Sequence, residues 1–213
     1  MAEAPNMDIH RKRASGARTT IDDAVLVERC RRGDHTAIEG LILKYQDRIY
    51  NVILKICSNP DDAAELTQDT FVKVIESIES FQGRSSFYTW AFRIAVNLTL
   101  NRCRRNVKLH IGTLEAFSDG LSEDKKLSLS DFLQDDCSPD PAQVAQNSEL
   151  CRIAVKALTK LSDEHRAVIV LRDIEGMNYA QIAVVLNVQL GTVRSRLSRA
   201  RRSLRQILEA FSQ

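Results

Sequence analysis

Glycine and proline are scarce in this sequence, at 8 and 4 of 213 residues. An all-β fold needs many tight turns, and these two residues supply most of them. Aromatic residues make up 6% of the chain, whereas hydrophobic residues make up 44% and charged residues 27%. These proportions are ordinary for a protein that forms a buried core. The composition therefore predicts an all-α fold.

Long apolar runs and metal-binding patterns are also missing. No stretch reaches the roughly 18 apolar residues of a membrane span, and the polar amino terminus lacks the pattern of a signal peptide. The five cysteines include no CxxC pair, and no histidine lies at zinc-ligand spacing from them. The sequence shows no glycine-rich phosphate loop, HExxH sequence or convincing nucleophile–base constellation. We expect a cytoplasmic protein that does not insert into a membrane, binds no metal or cofactor and is not an enzyme.

Hydrophobic periodicity divides the chain into two helical domains. Residues 1–21 lack a period and predict a disordered basic tail, whereas residues 22–107 predict one compact helical domain, which includes a helix over about 61–79 and another that ends near Arg105. Residues 108–145 collect Asp, Ser, Gly and Pro and predict a flexible acidic linker with a short helix near 127–134. Residues 146–213 predict the second domain, with helices over 147–160, 163–174, 179–186 and 191–210.

Charge is segregated along the chain, although the net charge is only +2. Residues 93–108 carry five basic groups and no acid, residues 113–140 carry eight acids, and residues 190–213 carry six arginines and one acid. Solvated helix faces are the simpler interpretation of charge alone. The alternative is a polyanion that is bound at two places. The acidic linker is either a solvated tether or a mimic of phosphates inside a basic channel.

The segment 177–208 carries the most specific pattern. Asn178 and Gln181 stand three residues apart ahead of an apolar run, as in a helix capping box. A turn at 187–189 separates this short helix from a longer one with an apolar stripe and six arginines within twelve residues. A helix-turn-helix places such a second helix in the major groove of DNA. An amphipathic helix with solvated arginines is the competing interpretation, and the arginine density behind a well-formed helix-turn-helix favours DNA binding.

Side chains near the start of the second helix are candidates for reading bases, because this end enters the groove. Arg194, Ser195 and Ser198 share the face opposite the apolar stripe, and arginine makes bidentate contacts to guanine. The flanking side chains suit contact with phosphates, which fixes position rather than sequence. These are Thr192, Arg196, Arg199, Arg201, Arg202 and Arg205.

The sequence resembles the extracytoplasmic-function (ECF) sigma factors of bacterial RNA polymerase. Their region 2 is similar to LVERCRRGDHTAIEGLILKYQDRIYNV (26–52), DAAELTQDTFVKV (62–74) and FQGRSSFYTWAFRIAVNLTLN (81–101), and the end of their region 4 is similar to LGTVRSRLSRARRSLR (190–205). Both domains match in order, which is far more specific than a helix-turn-helix alone. The chain departs from the family at Ser198, where some members carry an aromatic residue, and at Arg84, where many carry an acid.

The resemblance implies four binding surfaces. The second domain would read the upstream (−35) promoter element through the side chains named above. The first domain would dock on the β′ coiled coil of core polymerase through Glu65, Gln68, Asp69 and Phe71, and the second on the β flap. The first domain would also hold the melted strand of the −10 element, since aromatic and basic side chains suit single-stranded DNA. The candidates are Phe81, Ser85, Ser86, Arg93, Asn97, Asn101 and Arg104.

The resemblance also implies an anti-sigma factor that clamps the two domains. We expect Trp90 to pack in the core rather than to touch DNA.

The alternative function is a helix-turn-helix regulator that is not a polymerase subunit. A response regulator would need a receiver domain with alternating strands, which residues 1–107 do not suggest. A polymerase adaptor without DNA binding would leave the arginine-rich helix unexplained.

Overall fold

The computed structural model describes residues 22–113 and 152–211, with side chains described to residue 106 in the first range. All regular secondary structure within these two ranges is helical, which confirms the all-α prediction. None of the helices in these ranges is long and apolar enough to cross a membrane. The tail at 1–21 and most of the predicted linker, with its short helix near 127–134, lie outside the described residues.

The first helical unit contains four α-helices. They are α1 (Asp23–Arg31), α2 (His35–Cys57), α3 (Pro60–Ser77) and α4 (Phe87–Thr113), and a 3-10 turn over Ile78–Ser80 follows α3. The core of the unit is a run of fully buried aliphatic side chains on α2, against which the other three helices pack. Its largest members are Ile49, Val52, Ile53, Leu54 and Ile56.

Polar side chains cap three of these helices and explain where they begin. Asp22 accepts a hydrogen bond from the backbone N–H of Ala24, and Asp34 accepts from Thr36 and Ala37. Asn59 accepts from the N–H groups of residues 61 and 62. Such caps satisfy donors that have no partner within the helix, and each typically contributes about 1 kcal/mol.

The second helical unit contains the helix-turn-helix. Residues 152–159 form α5, followed by α6 (Asp163–Ile169), a π-helical turn (Val170–Ile174), α7 (Tyr179–Leu186) and α8 (Leu190–Phe211). The predicted helix 179–186 is confirmed, and the predicted helix 191–210 is one residue longer at each end. The predicted helix 163–174 changes to π geometry after Ile169, a change that sequence periodicity does not reveal.

α4 runs farther than the sequence analysis expected. The helix was predicted to end near Arg105, but it continues to Thr113, past the predicted domain boundary at residue 107. Residues 106–111 contain no glycine or proline, so nothing in the local chain terminates the helix.

The two units pack against each other. α4 of the first unit lies against α7 of the second, and α2 lies against α6 and the π-helical turn. Buried side chains from both units therefore form one continuous hydrophobic cluster. Neither hydrophobic period nor charge predicted this packing, since both describe single elements.

Candidate nucleic-acid interface

α8 separates a buried stripe from a basic exposed face. Val193, Leu197 and Ala200 are almost completely buried, as the predicted stripe requires. The opposite side is exposed and carries most of the predicted DNA contacts, namely Arg194, Ser195, Ser198, Arg199 and Arg202. Thr192 is half-buried in the first turn. The geometry is that of a recognition helix with its reading face open.

The segment ahead of α8 fixes its direction. The capping box is present: Asn178 N–H donates to the Gln181 side chain, and Gln181 N–H donates to the Asn178 side chain, both at 2.9 Å. α7 ends at Asn187, which adopts the left-handed conformation with φ of 52°. Asparagine tolerates this conformation better than most residues do. The tight turn sets α7 against α8, as a helix-turn-helix requires.

Ion pairs divide the arginines of α8 into two groups. Arg196 contacts Glu164 at 3.0 Å and Arg201 contacts Asp173 at 2.5 Å, so acids of α6 and the π-helical turn neutralise both. Within the two described ranges, Arg194, Arg199 and Arg202 form no ion pair. Ser195 donates a hydrogen bond to the Thr192 carbonyl at 3.1 Å. These three arginines therefore supply the positive charge of the exposed face that no acid of the described ranges neutralises.

An aromatic cluster supports the loop that precedes α4. The ring centroids of Phe81 and Trp90 are 5.0 Å apart, and those of Phe87 and Trp90 are 5.7 Å apart. Trp90 is half-buried between these rings, which agrees with its expected packing role. Phe81 was expected at the edge of a base pocket, but it is only 9% exposed. Its ring supports the loop from below and offers DNA little surface.

The two loop serines have different surroundings. The Ser86 hydroxyl accepts from Thr89 N–H at 3.2 Å and lies 2.9 Å from the Thr89 hydroxyl, so it caps α4. Ser85 is half-buried, and its hydroxyl donates to the Ser86 carbonyl at 3.3 Å. The loop also contains Gly83 with φ of +67°, a conformation that other residues rarely adopt. Of the two predicted contacts, Ser86 has a clear structural role in starting α4.

A cavity of about 630 Å³ opens between α1 and the loop. Phe81 and Gln82 line it from the loop, and Arg31 lines it from α1. The Arg31 guanidinium also donates to the carbonyl of Phe81 and so holds the loop against α1. Sequence analysis did not single out Arg31.

α4 carries the predicted polar and basic residues on surfaces of different exposure. Arg93 and Asn101 are exposed, and Asn97 is half-buried. Arg104 is exposed but contacts Glu164 of the second unit at 3.0 Å. One carboxylate, that of Glu164, thus contacts a predicted −10 arginine and a predicted −35 arginine together.

The predicted polymerase-docking residues on α3 divide into surface and core. Glu65, Gln68 and Asp69 are exposed on one side of the helix. Phe71 is 7% exposed and belongs to the hydrophobic core, so its ring does not contribute to that surface. Helical geometry explains this burial, because Phe71 lies on the same side of α3 as the inward-facing residues Leu66, Thr70 and Val74.

Two polar residues between the units were missed entirely. Arg166 is 6% exposed and donates to the carbonyls of Leu158, Thr159, Leu161 and Ile56. Glu175, whose side chain is 8% exposed, accepts from Arg48 and from the Tyr88 hydroxyl, each at 3.0 Å. Burial of charge requires such partners. An arginine within the apolar run of α6 was the one available signal in the sequence.

Comparison with known proteins identifies both units. Residues 41–108 match the family model Sigma-70 region 2, and residues 151–204 match Sigma-70, region 4. The RNA polymerase sigma-H factor of Pseudomonas aeruginosa is 34% identical over 90% of this chain and 96% of its own length. The ECF RNA polymerase sigma-E factor of Haemophilus influenzae is 35% identical over 85% of this chain and 92% of its own length.

Two solved structures share the fold. The structure of CnrH in complex with the cytosolic domain of CnrY matches with a TM-score of 0.61 and 24% identity, over 88% of this chain and 97% of that one. The sigma factor RpoE in complex with the anti-sigma factor NepR, from Bartonella quintana, matches with a TM-score of 0.59 and 23% identity, over 80% and 96%. With regions 2 and 4 in order and full-length relatives of this similarity, the chain belongs to the ECF sigma factors, which direct RNA polymerase in transcription initiation.

Proposed function

We propose that this sigma factor selects promoters with two separate DNA-binding elements. α8 grips the −35 duplex, and the loop at 81–86 together with α4 holds the melted strand of the −10 element. The single observation that carries the proposal is the open face of α8, where exposed arginines without acidic partners in the described ranges surround two small polar side chains. This arrangement combines base readout with phosphate contact.

The −35 contacts follow from position on α8. Arg194, Ser195 and Ser198 read base edges, and Thr192, Arg196, Arg199 and Arg202 hold phosphates. Arg196 must exchange Glu164 for a phosphate, which costs little because such partly exposed ion pairs contribute about 0–1 kcal/mol.

For the −10 strand, we propose that the cavity beside the loop receives an extruded base. Its volume of about 630 Å³ is within the range of small-ligand sites. The Gln82 amide at its wall can hydrogen-bond a base edge, and the buried Phe81 ring supports the wall from below. Ser85 lies at the loop tip, Ser86 shapes the loop, and Arg93, Asn97, Asn101 and Arg104 guide the backbone along α4.

Polymerase docking is assigned to the exposed side of α3. Glu65, Gln68 and Asp69 would contact the β′ coiled coil of the core enzyme, and the second unit would contact the β flap. Arg102 anchors Glu65 at 2.6 Å and Asp62 at 3.1 Å, which holds this acidic surface in one shape. We propose that the protein acts in the cytoplasm with polymerase and contributes no chemistry of its own.

An anti-sigma factor is the proposed regulatory partner. Both solved neighbours are complexes: CnrH is bound to the cytosolic domain of CnrY, and RpoE is bound to the anti-sigma factor NepR. A partner of this kind would act by covering the DNA-binding and polymerase-binding surfaces.

Selective initiation tests the proposal. Core polymerase would be mixed with the chain and a library of random promoters, and run-off transcripts would be sequenced. We expect recovered templates to share an upstream and a downstream element at fixed spacing. Recovery of one duplex motif without transcription would instead support a helix-turn-helix regulator, and failure to bind core would overturn the sigma assignment of the surfaces.

A further inference from the structure

We propose that Glu175 is the latch of a closed form of this sigma factor, in which the second unit covers α4 and must be released before α4 can hold DNA. The need for opening rests on the proposed function, because it follows from DNA binding by both α8 and α4. The closure itself is a property of contacts within the chain.

Glu175 is placed by an unusual piece of backbone. The π-helical turn Val170–Ile174 ends directly before it, and Gly176 follows with φ of +69°. π-helical turns are rare and commonly mark functional positions. Here the turn redirects the chain so that the Glu175 carboxylate enters the interface with the first unit.

The partners of Glu175 belong to the other unit. Arg48 of α2 and Tyr88 of α4 both donate to one of its oxygens at 3.0 Å, and the Arg48 guanidinium lies 4.6 Å from the centre of the Tyr88 ring. Burial, together with the negative charge of Glu175, raises the pKa of the Tyr88 hydroxyl. Removing the carboxylate would leave these groups without their shared acceptor.

Two further contacts bring the same segment onto the first unit. The Arg166 guanidinium donates to the Ile56 carbonyl and to the Ser58 hydroxyl at 3.3 Å, at the carboxyl end of α2. A cation is favoured there by the helix dipole. Glu164 contacts Arg104 near the other end of α4. α7 also packs on α4, so these contacts and α7 together hold the second unit against the first.

The closed form cannot serve both proposed DNA elements together. α8 packs on α7 and α7 packs on α4, and neighbouring helices are about 8–10 Å apart. The −35 and −10 elements lie about 25 base pairs apart along the DNA, which corresponds to roughly 85 Å of duplex. Engaging both therefore requires the two units to separate, which breaks the contacts of Glu175.

Alkylation of Cys103 measures this separation in the intact chain. Cys103 on α4 is 9% exposed, and the charges of Asp163 and Arg166 act on its thiol, which places it at the interface. Cys30 is buried on α1, which packs on α2 and α4 of its own unit, and serves as the internal control. Iodoacetamide labelling followed by peptide mass spectrometry reports both thiols in one sample.

We expect Glu175→Gln to accelerate alkylation of Cys103 by about tenfold or more, because a neutral amide is a weaker acceptor than the carboxylate for the Arg48 and Tyr88 donors. The alkylation rate of Cys30 should not change. Arg48→Gln should accelerate the alkylation of Cys103 similarly. The double variant should be alkylated little faster than either single variant, because both changes break the same Arg48–Glu175 contact. Asp173→Asn is the matched control, since Asp173 lies on the same turn but pairs within its own unit. Its labelling should match the unaltered chain.

The outcomes separate the latch from the proposed function. No change at Cys103 in Glu175→Gln, or equal acceleration of Cys30, would overturn the latch, the second because the contact would then support folding as a whole. Binding to a single-stranded oligonucleotide of the selected non-template sequence tests the consequence. Tighter binding by Glu175→Gln supports control of α4, and unchanged binding with Cys103 exposed would overturn that control while leaving promoter selection by the sigma factor intact.

Discussion

At the scale of single residues, exposure and pairing distinguish arginines that the sequence leaves equivalent. Helical spacing predicted which of them leave the core, and Arg194, Arg199 and Arg202 are indeed exposed. Spacing could not predict that Arg196 and Arg201 would meet acids of α6 and the π-helical turn, because those contacts join elements far apart in sequence.

Arg194→Ala tests base readout. We expect recognition to weaken by about 1–3 kcal/mol at one base pair of the upstream element, because a bidentate contact would be lost. Arg199→Ala is the control, since a phosphate contact should weaken binding on all sequences alike. Binding to a panel of duplexes with single base-pair changes measures both. A uniform loss from Arg194→Ala would reassign this side chain to phosphate contact.

Glu164→Gln tests competition between carboxylate and phosphate. The change releases Arg104 and Arg196, so we expect affinity for non-specific duplex to rise about two- to fivefold, in line with the weakness of exposed ion pairs. The slope of log affinity against log salt should steepen as well, since more phosphates are neutralised. Glu209→Gln removes an acid from the same unit, where Glu209 is exposed on α8. Equal effects of the two variants would show that net charge alone is responsible.

At the scale of elements, local capping determines helix starts and can be predicted well. The capping box of Asn178 and Gln181 was evident from spacing and is present. Helix ends were predicted less well, as the extension of α4 to Thr113 demonstrates, because absence of a breaker is a weaker signal than its presence. The π geometry after Ile169 depends on the interface that Glu175 enters, so no local pattern predicts it.

Asn178→Ala tests the cap of α7. We expect a loss of about 1 kcal/mol in the free energy of unfolding, since the Gln181 N–H loses its acceptor. Asn178→Asp keeps an acceptor at the same place and should be nearly neutral. Urea unfolding measures both variants. Equal stability of Asn178→Ala and the unaltered chain would mean that tertiary packing alone holds α7.

Asp34 gives the cap of α2 a pH dependence. Hydrogen bonds from the Thr36 hydroxyl and Arg29 are the main causes that lower its pKa to about 2, from about 3.9 in an unfolded chain. Its contribution to stability is therefore complete above roughly pH 4 and disappears as the pH falls towards 2. Asp34→Asn keeps a capping oxygen but does not titrate, so its urea midpoint should fall less between these values. Parallel declines would contradict this assignment.

At the scale of the whole molecule, the order of the two domains was readable from sequence and their packing was not. Patterns at 62–74, 81–101 and 190–205 identified both units of an ECF sigma factor. The contacts of Arg166 with Ile56 and of Glu175 with Arg48 join residues more than a hundred positions apart, and no single-sequence pattern joins such positions. The burial of Phe71 and Phe81 has a related reason, because core packing takes up side chains that spacing alone does not assign to the core.

Promoter opening tests the central claim most directly. Core polymerase with this chain would be bound to a selected promoter, and permanganate would report unstacked thymines on each strand. We predict reactive thymines within the −10 element only when the chain is present. The reactivity should be lost when the upstream element is replaced, or when the Arg194→Ala variant takes the place of the unaltered chain at a limiting protein concentration. A duplex that stays unreactive despite stable binding of core and chain would contradict the account.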